Sequence, residues 1–280
     1  MCRPMSELEP GRLVRIALDV RRLVAPNPSL LTGPGTNTYL LGEPVTAVID
    51  PGPPEASHIE TIARAAPQLA LIFVTHTHAD HSSGARALAA RTGARLIGRA
   101  PPVHGPQDRS FVPDLSPRHG QCFALGCGVL RALHTPGHAS NHVCYLLEAA
   151  GLLFSGDHIL DGVTPVIAPP DGSMSDYLES LRNLLGHEAS AIAPGHGRLL
   201  GEPRRVIEGV LQHRARRESK VVSALAALGA ADLEELLAPV YADVPEALHA
   251  LARQSLEAHL IKLADEGRCE RRGTRWHARA

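Results

Sequence analysis

Apolar runs of four to seven residues, bounded by Gly, Pro or Asp, recur along the first two-thirds of the chain. They predict strands at Val45–Asp50, Leu69–Thr75, Arg95–Gly98, Val129–His134, Val143–Glu148, Leu152–Ser155 and Ala189–Ala193. A period nearer 3.6 predicts helices at Ala56–Ala65, Ser83–Arg91 and Ser175–Leu185. Strands in runs, with helices only at intervals, predict a mixed sheet or two sheets covered by helices, not a strict βαβ alternation. Residues 101–120, rich in Pro, Gly and His, read as a long surface loop. After Pro203 the pattern turns helical. Arg204–Leu228 reads as one long helix, with Val206, Val210, Val221, Val222 and Leu225 apolar and with Arg214, Arg216 and Arg217 on a solvated face. Shorter helical pieces follow at Asp232–Leu237 (Asp232 as N-cap), Pro245–Leu251 and Ser255–Glu266. Arg268–Arg271 and Thr274–His277, joined at Gly273, then form a hairpin, and three helices plus a hairpin outline a winged helix. The expected division is therefore 1–203 and 204–280.

With 280 residues, 44% apolar and 20% charged, the chain is a folded globular protein and not a disordered one. No apolar run approaches the ~18–20 residues of a membrane span, and Met1–Gly11 lacks the apolar stretch of a secretory leader. Five cysteines, an odd number with no CxxC, read as reduced thiols in a cytoplasmic protein and give no support to a cysteine-based zinc site. A net charge of −1 makes no global case for nucleic acid or membrane. Locally, the part from Arg204 onward has 13 basic and 11 acidic residues, and its hairpin sets Arg268, Arg271, Arg272, Arg275 and Arg279 against Glu270. That bias is compatible with a nucleic-acid wing, but winged helices also make homodimer contacts. The segment GPGTNT at 33–38 lacks the third glycine of a dinucleotide loop and leads into a strand-like run, Tyr39–Leu41, where a helix is required. Sixteen histidines against nine aromatic residues direct attention to histidine spacing.

The decisive segment is LALIFVTHTHADHSSG at 69–84. Alternate residues of an extended chain share a face, so His76 and His78 can grip one cation from the same side. Asp80 and His81 follow where the chain must bend and can face a second cation, and Ser82 and Ser83 are placed to cap the next helix. Three histidines and an aspartate within six residues are costly to bury unless they bind something. The HTPGH segment presents His138 on a tight turn after a strand, with His134 and His142 read as supporting residues. Asp157, in Ser-Gly-Asp after an apolar strand, is placed to bridge two cations, and Pro-Gly-His-Gly presents His196 in the same manner. Asp50, also at a strand end, is read as an anchor behind the His76–His81 loop. Imidazole and carboxylate ligands without thiolate suit zinc, with iron and manganese as alternatives.

His76-Thr-His78-Ala-Asp80-His81, then His138, Asp157 and His196, resembles the metallo-β-lactamase superfamily in motif order and strand context. The resemblance covers about residues 12–203 and implies an α/β fold, an αββα four-layer sandwich, followed here by a small α+β winged-helix-like domain. It also implies two divalent metal ions. His76, His78 and His138 would hold one, Asp80, His81 and His196 the other, and Asp157 would bridge. Such a pair, ~3.5–4 Å apart, generates a hydroxide nucleophile from a shared water. Asp80 would orient it, and His158 is either a leaving-group acid or a packing neighbour of Asp157. GTNTYLLG at 35–42, SGDH at 155–158, DYLESL at 176–181 and the winged-helix tail are further similar to the beta-lactamase-like group that includes the animal mitochondrial endoribonuclease. That likeness implies phosphodiester cleavage of single-stranded RNA. Two other readings stand beside it. One is a thioesterase like glyoxalase II, or a hydrolase of lactones or small esters. The other is a non-catalytic winged-helix binding protein, which the complete ligand set opposes.

Overall fold

The computed structural model describes residues 8–279, so Cys2 and most of the segment read as lacking a leader lie outside the described residues. The chain divides into two compact units. One holds the chain up to Thr135, Asn141–Val163 and His187–Pro203; the other holds Pro136–Ser140, Thr164–Gly186 and the chain from Arg204.

The first unit contains two six-stranded sheets. In the first, β1 (Leu13–Ala17), β2 (Val20–Val24), β3 (Asn37–Leu41), β4 (Ala47–Ile49), β5 (Leu71–Phe73) and β6 (Arg95–Ile97) lie in chain order. The first four pair antiparallel and the last two join in parallel. The parallel joins are made through α1 (Ala56–Ala65) and through α2 (Ala79–Ser82) with α3 (Ala85–Thr92). The second sheet is built from β7 (Cys122–Leu125), β8 (Gly128–His134), β9 (Val143–Leu147), β10 (Leu152–Gly156), β11 (Ala191–Pro194) and β12 (Leu200–Gly201), in reverse chain order, with only β10 and β11 parallel.

Period-2 alternation explains the burial of the first sheet on both faces. Tyr39, Leu41, Ala47, Ile49, Phe73 and Ile97 enter the core shared with Leu130, Tyr145 and Phe154 of the second sheet. The intervening Leu40, Val48, Ile72 and Leu96 pack instead with Ile59 and Ile62 of α1 and Leu88 of α3. All seven expected strands and the three expected helices of this region, α4 (Met174–Leu184) included, are present within a few residues. The hydrophobic pattern does not reveal β1, β2 and β7. Arginines at 15, 21 and 22 interrupt the apolar pattern of β1 and β2, and β7 directly follows the loop segment.

In the second unit, α4 and α5 (Pro203–Leu228) accompany α6 (Leu233–Val240), α7 (His249–Asp265) and a small sheet ordered β13 (Ala230–Ala231), β15 (Arg275–Ala278), β14 (Cys269–Arg272). Its core gathers Val221, Leu225, Leu236, Val240, Leu256, Leu260, Leu263 and Trp276. Asp232 is the N-cap as expected, and it makes a full capping box with Glu235, a device worth about 1 kcal/mol. The separate helices expected at Pro245–Leu251 and Ser255–Glu266 are instead one, α7, entered through a turn at Glu246–Leu248, because no Gly or Pro interrupts Ala252–Gln254. A second correction concerns the basic cluster of α5. Arg216 is exposed, but Arg214 and Arg217 are buried. Arg217 donates to the Val240 carbonyl and to Asp243, and its guanidinium lies 4.2 Å over the Tyr241 ring.

Glu218, on α5, sits among His259 (3.8 Å), Lys262 (2.8 Å) and Arg268 (2.9 Å). These partners hold its carboxyl at about 2 against the opposing effect of burial. A depressed carboxyl stabilises above its unfolded value and loses that contribution as pH falls through the folded one. Glu218→Gln is therefore expected to cost about 1–2 kcal/mol at pH 7 and progressively less from pH 4.5 down to 2. Urea unfolding at both ends of that window checks it, and a pH-independent loss would contradict the ion-pair account.

Candidate metal centre

The turn after β5 delivers the first histidines. Val74 continues the strand by donating to the Ile97 carbonyl, and the chain then enters α2 with His78 as its N-cap residue. Ser82 and Ser83 do not cap the following helix. The turn already starts at Ala79, so Ser83 Oγ bonds back to the Ala79 carbonyl and Ser82 Oγ donates to Asp108 at 2.7 Å. Gly84 precedes α3 without a side-chain cap.

Asp50, at the end of β4, holds this turn from behind. Its carboxylate accepts from Thr75 N (2.7 Å), Thr75 Oγ1 (2.7 Å) and His81 Nδ1 (2.9 Å). The residue has φ 49°, a left-handed conformation rare outside glycine, and such strain persists where surrounding bonds over-determine it. With Nδ1 committed to Asp50, His81 turns Nε2 toward Asp157 Oδ1 (3.2 Å) and Asp80 Oδ2 (3.5 Å). His196 repeats the scheme. Its Nδ1 donates to the Gly35 carbonyl (3.3 Å), and its Nε2 lies 3.2 Å from Asp80 Oδ2 and 3.4 Å from Asp157 Oδ1. His76 Nδ1 lies 3.1 Å from Thr75 Oγ1, and its Nε2 is 3.0 Å from His78 Nδ1.

Among the described residues of the first unit two groups of donor atoms result, His76 with His81 and Asp157, and Asp80 with His81 and His196, each with its atoms within 4.8 Å of one another. Charge follows the geometry. Burial works against a charged His196, yet Asp157 and Asp80 raise it to about 9, and burial of His81 is likewise overcome by Asp157, Asp80 and Asp50. Burial opposes ionisation of Asp80 too, but His81 and His196 bring it down to about 2, and Asp157 is lowered well below its ordinary value by the same imidazoles. His76 goes the other way, kept neutral by burial and by neighbouring His81 and His78.

These residues fit a divalent cation. His81 Nε2 is wholly buried without a hydrogen-bond partner and aimed at two carboxylate oxygens, so a proton or a cation must stand between them. The imidazole whose Nδ1–H is tied to a carboxylate or carbonyl, presenting Nε2, is the usual arrangement of a metal-binding histidine.

Gly195 lets the His196 loop approach. A Cβ there would meet Asp157 Oδ1 at 2.5 Å and His81 Cε1 at 2.7 Å. Sequence reasoning missed what braces this loop. Asn37 Nδ2 donates to the Pro194 and Gly197 carbonyls (2.9 Å each), Tyr39 Oη donates to Pro194 O (2.7 Å), and Thr36 pairs with His196. The 101–120 segment is also more than a surface loop. Thr77 Oγ1 donates to Gln107 Oε1 (2.6 Å), Asp108 N donates to the Thr77 carbonyl (2.6 Å), and Phe111 is buried.

Of the remaining expected residues, His142 and His158 are fully buried, with the His142 ring centroid 5.1 Å from that of His76 and 5.6 Å from that of His158. His142 Nδ1 lies 3.0 Å from Thr135 Oγ1. His134 ends β8, half-buried. His138 belongs to the second unit, on the turn Pro136–Ser140, with Nδ1 donating to the Val166 carbonyl at 2.7 Å.

Comparison with known proteins agrees with this architecture. Residues 31–196 match the model of the metallo-beta-lactamase superfamily, and residues 233–276 that of the beta-lactamase associated winged helix domain. The chain is 31% identical over 275 residues to a beta-lactamase-like protein 2 homolog of Drosophila melanogaster, covering 91% of each. It is 30% identical over 267 residues to an atrochrysone carboxyl ACP thioesterase of Passalora fulva, covering 89% of this chain and 76% of that one. Among solved structures, a metallo-beta-lactamase family protein from Thermus thermophilus superposes with a TM-score of 0.78 at 23% identity, over 95% of this chain and all of that one.

Proposed function

The chain belongs to the metallo-beta-lactamase superfamily and carries its associated winged helix domain, and from that premise we propose a dinuclear metal-dependent hydrolase acting on thioesters. The observation that carries the reading is the pair of donor groups sharing His81, with carboxylates of Asp80 and Asp157 facing buried imidazoles. Asp80, His81 and His196 would hold one cation and His76 and His78 the other, with Asp157 shared. His138 joins the second set on its motif. Zinc suits this donor set, with iron or manganese as alternatives. When bound, the cations supply Lewis acidity, lowering the pKa of water and polarising the scissile carbonyl.

The chain's own residues do the rest. Asp80, part-exposed at the edge of the cluster and ionised at neutral pH, orients the attacking water through its carboxylate. Asp50 fixes the His81 ring and the turn that carries His76. His158 is fully buried with its ring centroid 5.6 Å from that of His142, which supports a packing role beside Asp157.

Two observations support a thioester over single-stranded RNA. A relative at 30% identity bears the name of a thioesterase. Every wing arginine also has an acidic partner: Arg268 with Glu218, Arg271 with Glu257, Arg275 with Glu235, and Arg272 and Arg279 with Glu270. Five arginines set against four carboxylates offer phosphates little net field. Four described cysteines are free thiols, in keeping with a cytoplasmic placement. No helix among the described residues is long and apolar enough to cross a membrane.

A panel of acyl thioesters, lactones and single-stranded RNA tests the assignment. Thioester turnover is expected, lost on chelation, restored by zinc, and at least about 100-fold lower in Asp80→Ala. RNA cleavage that disappears in Asp80→Ala, without thioester turnover, would overturn it.

A further inference from the structure

Within the second unit, the turn that carries His138 is held by a short strap, residues 164–167, and the strap is held by helices of the winged-helix region. The Val166 carbonyl accepts from His138 Nδ1 at 2.7 Å. On one side of it, the Pro165 carbonyl accepts from the guanidinium of Arg214, on α5. On the other, Ile167 N donates to Ser255 Oγ, on α7, at 3.2 Å. Pro165, Ile167, Arg214 and Ser255 are all buried. Arg214 also lies 5.2 Å over the ring of Tyr177, whose backbone packs so closely on Gly137 that a Cβ there would sit 2.4 Å from Tyr177 Cα.

A buried arginine among the apolar residues Ile207, Val221 and Leu225 of α5 needs a reason. Here it ties down the carbonyl next to the one that sets the His138 ring. We propose that Arg214 and Ser255 are positioning residues for His138. Through the 165–167 backbone they fix the Val166 carbonyl, which sets the tautomer and aim of the imidazole. The inference rests on the proposed role of His138 as a metal ligand. It gives the C-terminal region a task in hydrolysis independent of any nucleic acid. Acceptors of this kind commonly change metal affinity by about 10–100-fold when removed.

The test titrates zinc into metal-stripped full-length protein by calorimetry, with the unfolding midpoint of the metal-free protein as the structural control. Wild type is expected to bind two ions. Ser255→Ala and Arg214→Met are expected to weaken one binding step by roughly tenfold or more while the other step and the metal-free midpoint stay near wild type. Ser255→Thr, which keeps the hydroxyl, restores the step. In a His138→Ala background, Ser255→Ala adds no further loss, an outcome that a general packing role would not produce. If Arg214→Met fails to fold, the serine series decides alone. Two unaltered steps, or equal weakening of both together with a lowered midpoint, overturn the proposal. Wild type binding fewer than two ions would overturn the dinuclear reading itself, and this inference with it.

Discussion

Asp157→Asn is expected to remove one of the two metal equivalents and to reduce hydrolysis by about 10³-fold. The side chain is 13% exposed, and its Oδ1 lies 3.2 Å from His81 Nε2 and 3.4 Å from His196 Nε2. Asparagine keeps the shape and loses the charge. Two dications cannot be held close together in a buried site unless anions offset their repulsion, and in this cluster the facing carboxylates are Asp80 and Asp157. Neutralising the one placed toward both donor groups leaves a site able to hold a single cation. Losing the second Lewis acid forfeits several kcal/mol of transition-state stabilisation, and about 4 kcal/mol corresponds to the stated factor. Elemental analysis of the purified variant and its turnover of the best thioester check the two halves separately. Two metals per chain with wild-type turnover would show that Asp157 is not shared.

The cluster of histidines and aspartates was legible in the sequence because its chemistry is local. His76, His78, Asp80 and His81 fall within six residues, directly after an apolar strand, and buried charge at that density has few explanations. Asp50 was legible for a related reason, as an acid at a strand end without a ligand position left for it. The supporting structure was not legible, because its bonds join distant segments through backbone atoms. Asn37 reaches carbonyls about 160 positions away, and Arg214 and Ser255 grip a strap 49 and 88 positions upstream. No spacing rule encodes a carbonyl acceptor, so a helical arginine reads as solvated until the strap is seen. The failed caps have the same origin in reverse. Ser82 and Ser83 satisfy the local rule, but the histidine turn starts the helix earlier and leaves their hydroxyls to other partners.

Gly35→Ala is the sharpest test of that hidden support. The segment 33–38, which lacks the third glycine of a dinucleotide loop, braces the His196 loop instead. Gly35 has φ +145°, a backbone conformation that other L residues rarely adopt, and a Cβ there would lie 2.0 Å from the Ala25 carbonyl oxygen. Neither partner can yield cheaply. Ala25 N is bonded to the Thr36 carbonyl at 2.8 Å, Thr36 N to Asn27 Oδ1 at 2.9 Å, and Asn37 N to the Gly195 carbonyl at 2.8 Å. Backbone strain and overpacking each cost about 1–3 kcal/mol, so a combined loss of about 4 kcal/mol is expected, lowering the metal-free midpoint by about 10 °C. Because the Gly35 carbonyl accepts from His196 Nδ1, zinc affinity should fall as well. Gly33 supplies the comparison two positions away. It has φ +57° with nothing within 4 Å of its Cβ position, so Gly33→Ala costs only the conformational strain, about 1 kcal/mol, and should leave zinc binding intact. Equal midpoints for the two variants would mean that the crowding at Ala25 is relieved by local movement, and the brace on His196 would then rest on Thr36, Asn37 and Tyr39.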